Sequence, residues 1–140
     1  MSKIIKQLSI FVENNKGELS DITTLLASEH ISIESINLSD ASDFGILRLI
    51  VDDSQKAKAI LEKNGFSSRF TDVFAVEISD HVGSFNSVIK ALAKENINIE
   101  YTYTLSNAQI GAFVFKVADA KLTSAIKTLE KEGIHLLSEI

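Results

Sequence analysis

Two stretches of this chain carry the same pattern, and the first is "ENNKGELSDITTLLASEHISIESINL", residues 13–38. The second is "SDHVGSFNSVIKALAKENINIEYTYTL", residues 79–105. In both, a mostly polar tetrad (13–16 or 79–82) leads into one glycine, then into apolar residues at helical spacing, and then into an Ile-x-Ile strand start. The pattern therefore predicts a polar loop, a helix and a strand, in that order, written twice.

The repeat extends beyond these two stretches. A shift of 66 positions aligns glycines, helix-face residues and strand residues of the two halves: Gly17 with Gly83, Leu19 with Phe85, Ile22 with Val88, Leu26 with Leu92, Ile31 with Ile97, Ile33 with Ile99, Gly45 with Gly111, and Asp53 with Asp119. The register then slips by two, so that "LEKNGF" (61–66) matches "LEKEGI" (129–134). We infer an internal duplication.

Composition limits the classes of protein to consider. The chain has 140 residues, a net charge of −5 and no cysteine. Its length suits one ordinary domain or two very small ones, and the missing cysteines exclude disulfides, thiolate chemistry and Cys-ligated metal. The interspersed acidic charge argues against a nucleic-acid partner. No apolar run approaches the roughly 18 residues of a membrane span, and no signal peptide is recognisable, so we expect a cytoplasmic protein with no membrane partner.

Each copy reads strand, helix, strand, strand, helix, strand. Two helices with one apolar stripe each would cover one face of a four-stranded antiparallel sheet. The sequence thus predicts an α+β fold of two tandem ferredoxin-like βαββαβ modules, 1–70 and 71–140, placed side by side with antiparallel sheets. Asn15 and Glu18 are spaced for a capping box at the first helix, Asp52 or Asp53 should begin the second helix, and Gly65 and Gly133 should end helices in the left-handed conformation.

Alternation also predicts apolar side chains on the sheet face away from the helices. They are Phe11, Ile46, Ile50, Val73, Ala75 and Val114. A freely solvated face would carry mostly polar residues, so we expect something to cover it, most simply a second copy of the chain in a homodimer.

Catalytic candidates are few. His30 sits at a helix end where Asn96 sits in the other copy, and both residues tolerate the left-handed conformation. His135 has no obvious partner. His81 follows Asp80, but two neighbours in a loop form no catalytic relay without a nucleophile placed by the fold. We therefore expect no enzymatic activity, no metal site and no cofactor.

A binding role suits the tetrads better. They precede helix N-termini, where unpaired backbone N–H groups and the helix dipole attract anions, and Gly17 and Gly83 allow close approach to the backbone. Just ahead, Asn14 or Asp80 offers an oxygen for an ammonium group. N–H donors for a carboxylate beside an oxygen acceptor for an ammonium group are typical of an α-amino acid site. The alternative is that Asn14, Asn15 and Asp80 only cap the helices.

The two segments "NNKGELSDITTLLASEHISI" and "DHVGSFNSVIKALAKENINI" resemble the ACT domain, a small regulatory ligand-binding module, in tandem. The resemblance covers essentially the whole chain. It implies that two modules join edge to edge and bind amino acids at the seam, where Asn14 and Asp80 would contact the amine. It also implies unequal sites, one pairing the Asp80 loop with Ser32 and Ser35, the other pairing the Asn14 loop with Asn98 and Tyr101.

The predicted ligand-binding residues lie in the two tetrad loops and at the strand starts that follow the helices: Asn14, Asn15, Gly17, Glu18, Leu19, Ser32, Ser35, Asp80, His81, Gly83, Ser84, Phe85, Asn98 and Tyr101. The resemblance implies a stand-alone sensor of a free amino acid that passes its signal to a separate enzyme or regulator. The alternative function is a ligand-free structural or protein-interaction module acting through dimer contacts.

Overall fold

A computed structural model describes residues 2–13, 15–39, 43–79, 81–105 and 111–138. Its elements, in chain order, are β1 (Ile5–Glu13), α1 (Glu18–Ser28), β2 (Ile33–Ser39), β3 (Phe44–Val51), α2 (Ser54–Lys63), β4 (Ser68–Glu77), α3 (Ser84–Lys94), β5 (Ile99–Thr104), β6 (Ala112–Val117), a 3₁₀ turn (Asp119–Lys121) and α4 (Leu122–Lys131). The chain divides into two compact units, a first unit of residues 6–71 and a second unit of residues 1–5 and 72–140.

In the first unit, the antiparallel strands lie in the order β2-β3-β1. The start of β4 follows beside β1, where the Phe11 N–H donates to the Ser67 carbonyl at 3.1 Å. The apolar stripes of α1 and α2 pack on the strand residues that alternation assigned to one face. The resulting core contains Leu8, Ile10, Ile22, Leu26, Leu47, Leu49, Ala57 and Leu61.

The second unit repeats this arrangement with the strands β4-β6-β5. Residues 135–137 run antiparallel beside β4, with a bridge from Val76 to Leu136. The Glu77 N–H donates to the His135 carbonyl at 3.0 Å, the counterpart of the Phe11 bond in the first unit. The core beneath α3 and α4 contains Phe74, Val76, Val88, Leu92, Phe115, Val117, Ala125 and Leu129. The predicted α+β fold of two ferredoxin-like modules with antiparallel sheets is confirmed.

Several local predictions are also confirmed. The Asp53 side chain caps α2 by accepting from the Lys56 N–H. Gly65 and Gly133 have φ of 86° and 77° at helix ends, and His30 and Asn96 share a φ of 58°. At these four positions the backbone is in the left-handed region, where a Cβ is sterically unfavourable. Glycine has no Cβ, and His and Asn tolerate this conformation better than most other residues.

The expectation that the second sheet face is covered holds for most of its residues without a second copy of the chain. Of the six apolar residues assigned to the second sheet face, Ile50, Val73, Ala75 and Val114 are already buried in the single chain. Only Phe11 and Ile46 are exposed there. Because four of the six side chains are removed from water without a partner, the burial argument for a homodimer rests on the remaining two.

Candidate functional site

The two tetrad loops end in the same backbone geometry. Gly17 and Gly83 precede α1 and α3 with φ of 89° and 90°. A Cβ at either glycine would meet nothing within 4 Å, so the conformation rather than crowding requires glycine. In α3 the first intrahelical donor is the Ser87 N–H, which bonds the Gly83 carbonyl at 3.0 Å. The amides of Phe85 and Asn86 therefore point out of the helix end.

In the first unit, the chain's own carboxylates surround the start of α1. Glu13 Oε2 accepts from Asn15 Nδ2 at 2.7 Å, and Glu18 Oε2 accepts from the Glu13 N–H at 3.1 Å. Asp21 adds a further acid in the first turn. The predicted capping box of Asn15 and Glu18 was wrong, because both side chains bond Glu13 and neither caps the helix. An acidic first turn is favourable for the helix itself.

In the second unit, hydroxyl groups occupy the corresponding positions. Ser79, Ser84 and Ser87 stand where Glu13, Glu18 and Asp21 stand in the first unit, and no acid lies in the first turn of α3.

These hydroxyls form a short chain of hydrogen bonds at the start of α3. Ser79 Oγ lies 2.8 Å from Ser84 Oγ and 3.3 Å from His81 Nδ1. Ser87 Oγ donates to the Gly83 carbonyl at 3.1 Å. Among the described residues, no side chain caps α3. The hydroxyls of Ser79 and Ser84 can therefore donate to an anion at the start of α3, where the first unit has carboxylates.

A cleft of about 1180 Å³ opens beside this helix start, inside the second unit. Four predicted ligand-binding residues, His81, Gly83, Ser84 and Phe85, come together on it. The rest of its wall was not predicted: Glu77, Ile78, Ser79, Val82, Ser87, Val88, Gly111, Phe113, Gly133, Ile134 and His135. Of these, the sequence had marked Ser79 and Val82 as members of the second tetrad, and Gly111 and Gly133 by their matches to Gly45 and Gly65 in the repeat.

The other predicted site residues lie elsewhere in their units. In the first unit, Asn15, Gly17, Glu18 and Leu19 form the start of α1. Ser32 is exposed and its N–H bonds Asp52 Oδ1 at 3.0 Å, whereas Ser35 is buried on β2.

In the second unit, Asn98 is exposed and Tyr101 is half-buried, its ring 6.4 Å from that of Tyr103. Neither lines the cleft. Asn14 and Asp80, the predicted amine-contacting residues, lie outside the described residues. The pairing of the loops with Ser32, Ser35, Asn98 and Tyr101 stays a prediction.

Within the described ranges, no three His, Asp or Glu side chains gather in a way that could hold a metal ion. The helices of the described part of the chain are all too short or too polar to cross a membrane.

Comparison with known proteins places the chain in a family. A family model described as "ACT domain pair" matches residues 3–135. The crystal structure of protein BT0572 from Bacteroides thetaiotaomicron is 34% identical, with a TM-score of 0.89 over 96% of this chain and 92% of that one. No curated protein matched.

More distant structures share the fold alone. The regulatory subunit of aspartate kinase from Thermus thermophilus is 13% identical, with a TM-score of 0.65 over 93% of this chain and 97% of that one. Aspartate kinase from Synechocystis is 22% identical, with a TM-score of 0.63 over 94% of this chain and 25% of that one. ACT domains are regulatory modules rather than catalytic ones. From residue 3 to residue 135, this chain belongs to the family of ACT domain pairs.

Proposed function

We propose that this ACT domain pair binds a free amino acid and that the start of α3, in the second unit, holds the ligand's carboxylate. In this proposal, 1–70 and 71–140 are the two modules, the protein acts in the cytoplasm without catalysis, and it regulates a separate enzyme or regulator. Asp80 takes the ammonium group.

One observation favours the loop before α3 over the loop before α1: three hydroxyls in the second unit replace three carboxylates in the first. A ligand carboxylate at α1 would meet Glu13, Glu18 and Asp21. Two like charges 4 Å apart repel by about 1 kcal/mol in water and about 4 kcal/mol near a protein surface. At α3 the ligand carboxylate meets the hydroxyls of Ser79 and Ser84 and the outward-pointing amides of the helix start, so it gains hydrogen bonds and avoids the three carboxylates found at α1.

A thermal-unfolding screen against the twenty amino acids tests the function. A ligand at about one hundred times its dissociation constant adds roughly 2.7 kcal/mol, which raises the melting temperature of a 140-residue chain by about 9 °C. We expect such a rise with a small subset of amino acids. If the protein is folded and no amino acid raises its melting temperature, the proposal is contradicted and the ligand-free interaction module remains.

A charge exchange between the loops tests the choice of α3. Ser84→Glu copies Glu18 of the first unit into the second and should abolish the ligand-induced rise. Glu18→Ser makes the reverse change and serves as the matched control, because it should leave the rise intact. If Glu18→Ser removes the response and Ser84→Glu does not, the carboxylate lies at α1 instead.

We also infer that the first unit forms the contact of a homodimer. Among the described residues, six of the seven exposed large apolar side chains belong to this unit: Phe11, Leu19, Ile36, Leu38, Phe44 and Ile46. The rings of Phe11 and Phe44 lie 4.9 Å apart. In the second unit the positions of Phe11, Ile36 and Leu38 carry Glu77, Thr102 and Thr104.

Sedimentation equilibrium tests the dimer. Phe11→Glu gives the first unit the residue of the second, and it should convert a dimer to a monomer. Thr104→Lys is the control on the matching strand and should leave the dimer unchanged. A wild-type protein that is monomeric at tens of micromolar contradicts the inference.

A further inference from the structure

The cleft beside α3 has an apolar floor that carboxylate binding leaves unused. Ile78, Val88, Phe85, Phe113 and Ile134 line it. The rings of Phe85 and Phe113 lie 4.8 Å apart and are tilted by 55°. Ile78 and Val88 are buried, whereas both rings and Ile134 are only half-buried. The floor therefore keeps aromatic surface in contact with water.

The rim of the same cleft is polar and accepts an anion. Ser79, Ser84 and Ser87 contribute hydroxyls, and His81 contributes an imidazole bonded to Ser79. The outward-pointing amides of α3 lie at this side of the cleft. A carboxylate can accept hydrogen bonds from these hydroxyls and amides, and an apolar body attached to that carboxylate fits the floor. Glu77, which also lines the cleft, lies 3.9 Å from His135.

The cleft has room for a ligand with a large apolar body, and its apolar floor favours one. Ligand sites usually measure about 300–1000 Å³, and this cleft reaches about 1180 Å³. Alanine, serine or threonine would leave both rings in water. An aromatic side chain buries roughly 150–250 Å², and ring pairs prefer the offset or tilted contacts that two phenylalanines offer.

We propose that the second unit selects an amino acid with an aromatic side chain, whose ring packs on Phe85 and Phe113. This selectivity rests on the function proposed above. Phe85 and Phe113 then determine specificity. The matching positions of the first unit carry leucines, Leu19 and Leu47.

Isothermal titration of the full-length chain tests the selectivity. The ligands are L-phenylalanine, L-tyrosine and L-tryptophan on one side and L-alanine, L-threonine and L-lysine on the other. Burial of one aromatic ring should make the aromatic group bind at least about tenfold more tightly than L-alanine.

Two matched variants separate specificity from folding. Phe85→Leu should weaken L-phenylalanine about three- to tenfold through the lost ring contact, with little change for L-alanine. Ile89→Leu, a change on the same helix at a residue that does not line the cleft, should alter neither affinity. The wild-type panel needs no variant, so the test holds even if Phe85→Leu folds poorly.

The outcomes are distinguishable. Tighter binding of L-alanine, L-threonine or L-lysine overturns the aromatic selectivity and keeps the amino-acid function. An unchanged L-phenylalanine affinity in a folded Phe85→Leu variant likewise overturns the role of the ring. Absence of binding by every amino acid overturns the proposed function and the selectivity together.

Discussion

The starts of α1 and α3 share one backbone and differ in chemistry. Gly17 and Gly83 have nearly the same φ, and each leads into an eleven-residue helix. Around α1 the chain supplies its own anions, Glu13, Glu18 and Asp21. Around α3 it supplies hydroxyls, and a cleft with an aromatic floor opens beside them. In the part of the chain that the structure describes, neither helix start has a side-chain cap, so the two loops differ in the charge around the helix amides rather than in the bonding of those amides.

The comparison shows how the side chains of two duplicated loops can diverge while the backbone is kept. The geometry of the loop is kept by glycine, which no other residue replaces cheaply, while the side chains around it are free to change. In the first unit, acids stabilise the helix dipole and apolar side chains stay exposed on the strands. In the second unit, the matching strand positions are Glu77, Thr102 and Thr104. Under the proposals above, the first unit forms the dimer contact and the second unit holds the ligand.

The largest expected effect concerns the two cores. Leu26 and Leu92 occupy matching, fully buried positions on α1 and α3. Truncation to alanine at either site should cost about 2 to 5 kcal/mol, because a cavity remains.

Urea unfolding measures this cost, with circular dichroism for both variants and tyrosine fluorescence for Leu92→Ala. Both tyrosines of the chain, Tyr101 and Tyr103, belong to the second unit, so the fluorescence reports that unit. Costs that differ by more than about 3 kcal/mol would show that the two cores are not packed equivalently.

A smaller effect is expected from the two loop glycines. Gly17→Ala and Gly83→Ala should each cost about 1 kcal/mol, because an L-residue is strained in the left-handed region. The added Cβ meets nothing at either site, so the two costs should agree. Only Gly83→Ala should also weaken the binding of the amino acid. An equal loss of ligand response in both variants would mean that the two loops are not chemically distinct.

The smallest effect separates stability from binding at the helix starts. Ser84→Glu adds an acid to the first turn of α3 and should stabilise the unliganded protein by about 0.3 to 1 kcal/mol. The same change should abolish ligand binding. Glu18→Gln should cost a similar amount in the first unit, and urea unfolding at low salt measures both. If Ser84→Glu destabilises the protein, the hydroxyl chain from Ser79 to Ser84 matters more than the helix dipole.

Local chemistry allowed much of the fold to be predicted. Gly65 and Gly133, and His30 with Asn96, adopt the left-handed conformations that their places in the repeat indicated. The capping box failed because Glu13, a neighbour beyond the motif, competes for the side chains of both Asn15 and Glu18. The sequence did not show that the chain itself buries Ile50 and Val114, because alternation assigns a side chain to a face but says nothing of what covers that face.

The sequence by itself determined the duplication, the order of strands and helices, the two glycine loops and the absence of cysteine chemistry. These follow from spacing and residue type, which act over a few neighbours. Only the tertiary structure decided that Phe113, Ile134 and His135 line one cleft with Ser84 and Phe85. The cleft exists because β6, the end of α4 and the start of α3 pack at one end of the second unit, and no local pattern encodes which distant side chains such packing brings together.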